Sequence, residues 1–300
     1  MKKLGIFTLV LLLTGCAGAS NSSTYTISQD DVRLISLDTP ATFSVSRVVV
    51  LANGVAEIME SLNAKSILVG RDISSTEKSL ESVPIVTSGH QVVPENILTL
   101  KPELVIIDAS TGPTSAINQI RSAGIKVIQT PESWNLSDIN KKIRAVGQAI
   151  GASKGAEALI ASMEQDLSAA SVSNKPRVAF LYLRGTSSVY LIGGPGSGAD
   201  SLLDSVGAID VGAQILDRPF NTLTAESLAT LNPDVILVMS KGLESVGGVE
   251  GLIKLPGVAQ TSAGKNSAVI DVDDSLLLSF GPRTPSLLEQ LVKGLKKVAP

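Results

Sequence analysis

The chain has 300 residues, of which 44% are hydrophobic, and a formal net charge of −3 at pH 7. This length and apolar content predict two domains of ordinary size. The slightly acidic balance and the absence of basic clusters argue against nucleic acid as a partner. Aromatic residues make up only 3% of the chain, which argues against surfaces that stack bases or sugars.

The N-terminal segment has the pattern of an export signal. Two lysines precede an apolar run over residues 4–13, and the chain's only cysteine, Cys16, follows. This arrangement predicts a signal peptide over residues 1–15, because the run is shorter than the roughly 20 residues that cross a bilayer. Leu-Thr-Gly-Cys also resembles the lipobox of bacterial lipoproteins, in which the cysteine becomes a lipidated N-terminus. The alternative is a lone thiol in an ordinary signal peptide.

After the signal, the pattern predicts a tether, two lobes and a helical linker. Residues 16–33 are small and polar, so we expect a lipid anchor followed by a flexible tether. Strands then alternate with helices, which predicts an α/β fold with mainly parallel sheets wrapped by helices. We expect an N-terminal lobe over 34–136, one long helical linker within 137–174, and a C-terminal lobe over 175–300.

The predicted elements follow chain order. In the first lobe we expect strands at 45–51, 66–72, 84–89, 103–108 and 125–130, and helices at 55–64, 95–101 and 114–124. In the second lobe we expect strands at 177–185, 188–194, 234–240 and 267–272, and helices at 199–208, 224–231, 249–255 and 286–298.

The two halves also repeat. NILTLKPELVII in the first half matches SLATLNPDVILV in the second, which places Glu95 opposite Glu226. The same register places His90, the only histidine, opposite Asn221. We therefore expect two similar lobes with a ligand cleft between them, outside the carboxyl ends of the strands. A helical linker should permit only limited closure of that cleft.

The lipobox, the linker and the paired segments LKPELV and LNPDVI resemble the substrate-binding proteins of ABC importers for siderophores, cobalamin and haem. Three stretches resemble the haemin-binding members of the HmuT type: GHQVVPENILTLKPELV, KGLESVGGVEGLIKLPGVAQT and DDSLLLSFGPRTP. The resemblance covers most of the chain after Cys16. It implies a lipid-anchored protein on the extracytoplasmic face of a bacterial membrane. Such a protein captures haemin and delivers it to a permease dimer with its ATPase.

The resemblance also implies that His90 ligates the haem iron, for which imidazole is a common axial ligand. We expect a second ligand from the other lobe. Tyr182 and Arg184 lie two residues apart on a strand and therefore share a face. An arginine beside a phenol favours the phenolate, which suits ferric iron. Tyr190, on the next strand, is the alternative ligand, and either tyrosine has packing alone as its other explanation.

Other residues are candidates for the pocket. Haem propionates need cations or amide donors at the cleft rim. Arg283, in GPRTP, resembles a family position near the pocket, and Arg71 follows a strand, so both are candidate propionate partners. Trp134 and Met239 stand at strand ends, where we expect them to line the pocket. For Met239, a core or wall position is favoured over iron ligation.

Glu95 and Glu226 each fall in the first turn of a predicted helix. One explanation is that a carboxylate there complements the helix dipole. The resemblance implies a second role, in which each lobe presents one carboxylate to arginines of the permease. The two explanations are compatible.

Two other classes of function receive less support. The same transporter class also carries ferric siderophores or cobalamin, which is the alternative cargo. A bare metal such as zinc is disfavoured because it needs three or four side-chain ligands and the chain has one histidine. An enzyme is disfavoured because the sequence has no G-x-S-x-G elbow and no paired-carboxylate signature.

Overall fold

A computed structural model describes residues 23–38, 42–166, 171–185, 191–222 and 224–300. Across these ranges, no helix combines the length and the apolar character needed to cross a membrane. The predicted signal peptide, Cys16 and Tyr190 lie outside the described residues.

The described strands and helices alternate for most of the chain. The strands are β1 (Thr24–Ile27), β2 (Val48–Val50), β3 (Leu68–Arg71), β4 (Thr87–Ser88), β5 (Gln91–Val92), β6 (Leu104–Ile107), β7 (Lys126–Gln129), β8 (Arg177–Tyr182), β9 (Leu191–Gly193), β10 (Ile209–Asp210), β11 (Phe220–Thr222), β12 (Val235–Met239) and β13 (Val269–Val272). The helices are α1 (Val55–Ser61), α2 (Pro94–Thr99), α3 (Thr114–Ser122), α4 (Ile139–Ile150), α5 (Ser153–Asp166), α6 (Ala199–Ser205), α7 (Val211–Ile215), α8 (Ala225–Leu231), α9 (Ser240–Ser245), α10 (Gly248–Leu252), α11 (Ser262–Asn266), α12 (Asp274–Leu277) and α13 (Thr284–Val298).

The first lobe is built on a four-stranded parallel sheet in the order β3-β2-β6-β7. All three valines of β2 are buried, as expected for a parallel strand covered on both faces. Val48 and Val50 belong to a core cluster with residues of α1, whereas Val49 belongs to a second cluster with residues of α2 and α3. The predicted parallel sheet wrapped by helices is therefore confirmed.

The second lobe has a seven-stranded sheet in the order β1-β13-β12-β8-β9-β11, with β10 paired beside β8. Strands β1, β13, β12 and β8 run parallel, whereas β9 and β11 pair antiparallel at one side. Phe180, Ile236 and Val269 are fully buried in this sheet. The sheet is thus mainly parallel, as predicted.

The tether predicted over residues 16–33 is wrong for its second half. Thr24–Ile27 forms β1, an edge strand of the second lobe, with Thr24 beside Val269 and Ile27 beside Val272. The Tyr25 hydroxyl donates a hydrogen bond of 2.8 Å to Gln290 Oε1. Only Ile27 of the four strand residues is fully buried, so the sequence lacks an apolar run that marks the strand.

The linker region contains two antiparallel helices, α4 and α5. Arg144 Nε lies 2.8 Å from Glu157 Oε1 across the pair, and Gly147 lets the backbones approach because a Cβ there would meet the Ala156 side chain at 2.5 Å. The turn after α4 contacts the first lobe, where Ser44 N–H donates to Ile150 O. Beyond α5, the chain enters the second lobe. The second helix of the pair therefore makes this crossing, and the segment between β1 and β2 makes another.

A buried ion pair joins the two lobes at a second place. Arg283, which precedes α13, is 5% exposed, and Glu57 of α1 is fully buried. Arg283 Nε donates to Glu57 Oε2 at 2.8 Å, and Arg283 Nη2 donates to Glu77 Oε1 at 2.8 Å. The backbone at Gly281 also lies against Glu57, since a Cβ there would clash with the Glu57 carboxylate. Both lobes are thus tied by one guanidinium.

Glu77 is an acidic residue of this cluster with a raised pKa. Burial raises the pKa of Glu77 from 4.5 to about 7, although the Arg283 guanidinium opposes the shift. Its Oε2 atom is buried without a hydrogen-bond partner among the described residues. Since its pKa is higher in the folded protein, the folded state binds more protons between pH 4.5 and pH 7. The Glu77 contribution to stability is therefore lost as the pH rises through that window.

We expect Glu77→Gln to remove part of the pH dependence of unfolding. Between pH 4.5 and pH 7 the free energy of unfolding of the wild type should fall relative to that of the variant, by up to roughly 3 kcal/mol. Urea unfolding at several pH values measures the difference, with the exposed Glu81→Gln as the matched control. Parallel curves for the wild type and Glu77→Gln would contradict the prediction.

Candidate functional site

The candidate site lies where the parallel strands of the first lobe end. The residues that follow β2, β3 and β6 converge there with the β4–β5 hairpin. A cavity of about 80 Å³ between them, the histidine cavity, is lined by Asp72, Ile73, His90 and Asp108, among others. This is the expected position of a ligand in an α/β sheet, outside the carboxyl ends of the strands.

His90 occupies the tip of a tight hairpin. Thr87 pairs with Val92 and Ser88 with Gln91, so Gly89 and His90 form a two-residue turn. Gly89 has a φ of +56°, a left-handed conformation that glycine adopts without steric cost. The hairpin therefore presents the imidazole, which is exposed, to the cleft.

Asp108 fixes the wall next to His90. Its carboxylate follows β6 and accepts hydrogen bonds from Asn53 N, Ser110 N, Ser110 Oγ and Thr111 Oγ1, at 2.7–3.0 Å. These donors lie in the loops that follow β2 and β6, so one carboxylate connects the two loops. Because its oxygens are occupied, Asp108 acts as a structural residue of the wall.

A second cavity adjoins the first and reaches the other lobe. This lysine cavity, of about 60 Å³, shares Asn53, Asp108 and Ser110 with the histidine cavity. Its other walls include Ser133, Trp134 and Lys142 of the first lobe and linker, and Leu278 of the second lobe. Trp134 is 36% exposed, and its Nε1 donates to Glu132 Oε2 at 3.0 Å. Trp134 therefore lines a cavity that reaches both lobes, a position compatible with its predicted role as a pocket residue.

Lys142 is the cation of this cavity, a role that was not predicted although the sequence carries a signal for it. Ile139, Lys142, Ile143 and Val146 share the buried face of α4. A lysine within an apolar stripe of helical spacing indicates a buried charge. Lys142 Nζ donates to Asn53 O and Ser279 O, the second at 2.5 Å. The ammonium thus bridges the two lobes at the base of the cleft.

Tyr182 and Arg184 are in contact at the end of β8. Arg184 Nε donates to Tyr182 Oη at 3.1 Å, and Arg184 Nη2 donates to the same atom. The ring of Tyr182 packs edge-on against Phe220, with 5.6 Å between centroids. The predicted proximity of the tyrosine and the arginine is therefore present. The histidine and lysine cavities contain neither of these two residues.

Both arginines predicted to bind propionates have other roles. Arg283 is engaged by Glu57 and Glu77 between the lobes. Arg71 is 8% exposed and donates to the backbone oxygens of Leu80, Val83 and Ser75. The propionate assignments of both residues are therefore wrong, because each guanidinium is buried and occupied by acceptors of the protein.

The remaining candidates keep positions compatible with their predicted roles. Met239 is half-buried at the end of β12, beside Val272, and packs against the main core. Glu95 is exposed in the first turn of α2, after Pro94. Glu226 is exposed in the first turn of α8. The two carboxylates thus occupy equivalent positions in the two lobes.

The fold and cleft define a two-lobed ligand-binding protein, and comparisons with known proteins place the chain within one family. The periplasmic binding protein family matches residues 48–276. The chain belongs to this family. Its relatives include substrate-binding and heme-binding proteins.

Solved structures give the most specific likeness. The periplasmic heme-binding protein RhuT from Roseiflexus sp. RS-1 is 37% identical, with a TM-score of 0.81 over 86% of this chain and 100% of its own. The heme-binding protein HmuT is 32% identical, with a TM-score of 0.80 over 92% and 98%. Three further HmuT structures carry alanine in place of an arginine, a histidine or a tyrosine.

A sequence relative spans nearly the whole chain. YvrC of Bacillus subtilis, an uncharacterized ABC transporter substrate-binding lipoprotein, is 27% identical over 98% of this chain and 97% of its own length. The chain is therefore similar to a substrate-binding lipoprotein from end to end.

Proposed function

We propose that this protein captures haemin outside the cytoplasm and delivers it to an ABC-type importer. The observation that carries the proposal is the likeness to two haem-binding proteins, RhuT and HmuT, over most of the chain. The cleft agrees with it, because the chain's only imidazole is exposed at the cleft edge. The permease and its ATPase are then the partners, as for the transporter class of YvrC.

The proposed iron ligands are His90 from the first lobe and Tyr182 from the second. Imidazole and phenolate are both known axial ligands of haem iron. Arg184 donates two hydrogen bonds to the Tyr182 oxygen, an arrangement that suits an oxygen bound to ferric iron. The alanine variants of HmuT concern the same three residue types, which supports this set. Tyr190 remains the alternative to Tyr182.

We expect the haemin complex to show a Soret band that shifts in His90→Ala and in Tyr182→Phe. Each change removes one proposed ligand, so each should also weaken haemin binding by at least about tenfold. Absorption titrations measure both effects. Asn221→Ala, at the twin position of His90 in the second lobe, is the matched control and should match the wild type.

Two outcomes would contradict this assignment. Unchanged spectra in both variants would remove His90 and Tyr182 as ligands. Tighter binding of a ferric siderophore or cobalamin than of haemin would favour the alternative cargo. Quenching of Trp134 fluorescence compares the three ligands directly, because Trp134 lies on the cleft.

Docking to the permease is proposed for Glu95 and Glu226. Both are exposed, and they stand at equivalent helix starts in the two lobes. Arginines on two permease subunits would pair with them, one for each lobe.

The double variant Glu95→Gln, Glu226→Gln should bind haemin like the wild type. Its haemin import through the reconstituted transporter should fall by at least about tenfold, because two interfacial charges are lost. Glu250→Gln is the matched control, since Glu250 is also an exposed first-turn acid of the second lobe. Normal import by the double variant would remove the docking role.

The lipid anchor is proposed at Cys16. The motif Leu-Thr-Gly-Cys supports it, as does the likeness to the lipoprotein YvrC. In a bacterial host, the wild type should incorporate labelled palmitate and fractionate with membranes. Cys16→Ser should lose the label and become soluble. Membrane association of an unlabelled Cys16→Ser protein would contradict the anchor.

A further inference from the structure

We propose that the lysine cavity binds one propionate carboxylate of the haem, through Lys142 and Ser133. The inference rests on the proposed haem cargo and assigns a group that determines its specificity. Both arginines expected to perform this task are buried in other contacts. The lysine cavity, by contrast, shares Asn53, Asp108 and Ser110 with the histidine cavity.

Lys142 supplies a charge that is fixed in place. The residue is 3% exposed, and backbone oxygens of Asn53 and Ser279 hold its Nζ from the two lobes. An ammonium group has three N–H donors, so it can donate to a ligand in the cavity as well. Burial lowers the pKa of Lys142 from 10.5 to about 8, against the effects of Glu57 and Asp108. The group is therefore protonated at pH 7.

Ser133 supplies a donor without a partner. The residue is 7% exposed and lines the same cavity. Its Oγ is buried, and no partner for it exists among the described residues. An unpaired buried hydroxyl is costly, so such a group in a native protein calls for an explanation. A carboxylate seated between Ser133 and Lys142 would accept from both.

The neighbouring carboxylates do not prevent this. Asp108 already accepts from two backbone N–H groups and two hydroxyls, so its oxygens are occupied. Glu132 is exposed at the rim, where solvent screens it, and Trp134 donates to it. Trp134 and Leu278 add apolar surface beside the cavity, suited to the edge of a porphyrin. The cavity of about 60 Å³ accommodates a carboxylate group, since a single water needs only about 10–15 Å³.

The test compares haemin with its dimethyl ester, which keeps the iron and the ring but has no carboxylate. The wild type should bind haemin at least about tenfold more tightly than the ester, as expected for one charge-assisted pair of hydrogen bonds. Lys142→Met should abolish this preference. Ser133→Ala should reduce it severalfold. In both variants the Soret band should keep the position seen in the wild type, because the iron ligands are intact.

Ser133→Ala keeps the test decisive if Lys142→Met fails to fold, because the Ser133 hydroxyl makes no bond within the described protein. Lys141→Met is the matched control. It changes the next residue of α4, whose ammonium pairs with Asp138 on the surface, and it should keep the full preference.

The outcomes separate this inference from the proposed function. Equal binding of haemin and its ester by the wild type would overturn the propionate site while leaving haem binding in place. A preference that survives in both Lys142→Met and Ser133→Ala would overturn it too. A wild type that binds neither porphyrin would overturn the haem cargo itself, and this inference with it.

Discussion

The buried ion pair between Glu57 and Arg283 connects the two lobes that form the cleft. Glu57 lies on α1, the helix that follows β2, an inner strand of the first lobe, and Arg283 precedes the last helix of the second. Both side chains are buried, so removing Arg283 leaves the Glu57 carboxylate without its cation, at a cost of about 3–5 kcal/mol. The ion pair therefore fixes the distance between α1 of the first lobe and the Leu278–Arg283 segment of the second lobe.

Lys142 extends the same connection toward the ligand. Its ammonium joins the Asn53 loop to Ser279, four residues before Arg283. Together with the α5 crossing, these contacts connect the lobes at several points on one side of the cleft. The resulting geometry favours a cleft that changes width little, and a rigid flat ligand such as a porphyrin suits a cleft of this kind.

Local patterns predicted much of this protein. The buried runs at Val48–Val50 and Leu104–Ile107 indicated parallel strands correctly, and the matched segments around Glu95 and Glu226 indicated two similar lobes. Strand β1 escaped prediction because its partner is about 245 residues away and its own residues are mostly polar. Arg71 and Arg283 escaped for a related reason. A sequence shows the charge of an arginine but not the carbonyls or carboxylates that fold around it.

Strand β1 also limits the distance between the folded protein and a membrane. With the proposed anchor at Cys16, seven residues separate the anchor from Thr24, where the chain joins the second-lobe sheet. Even when fully extended, this segment spans at most about 28 Å. The folded part of the protein would therefore remain close to the lipid surface. Capture of cargo and meeting with the permease would then take place in a thin layer, where the local concentration of each partner is high.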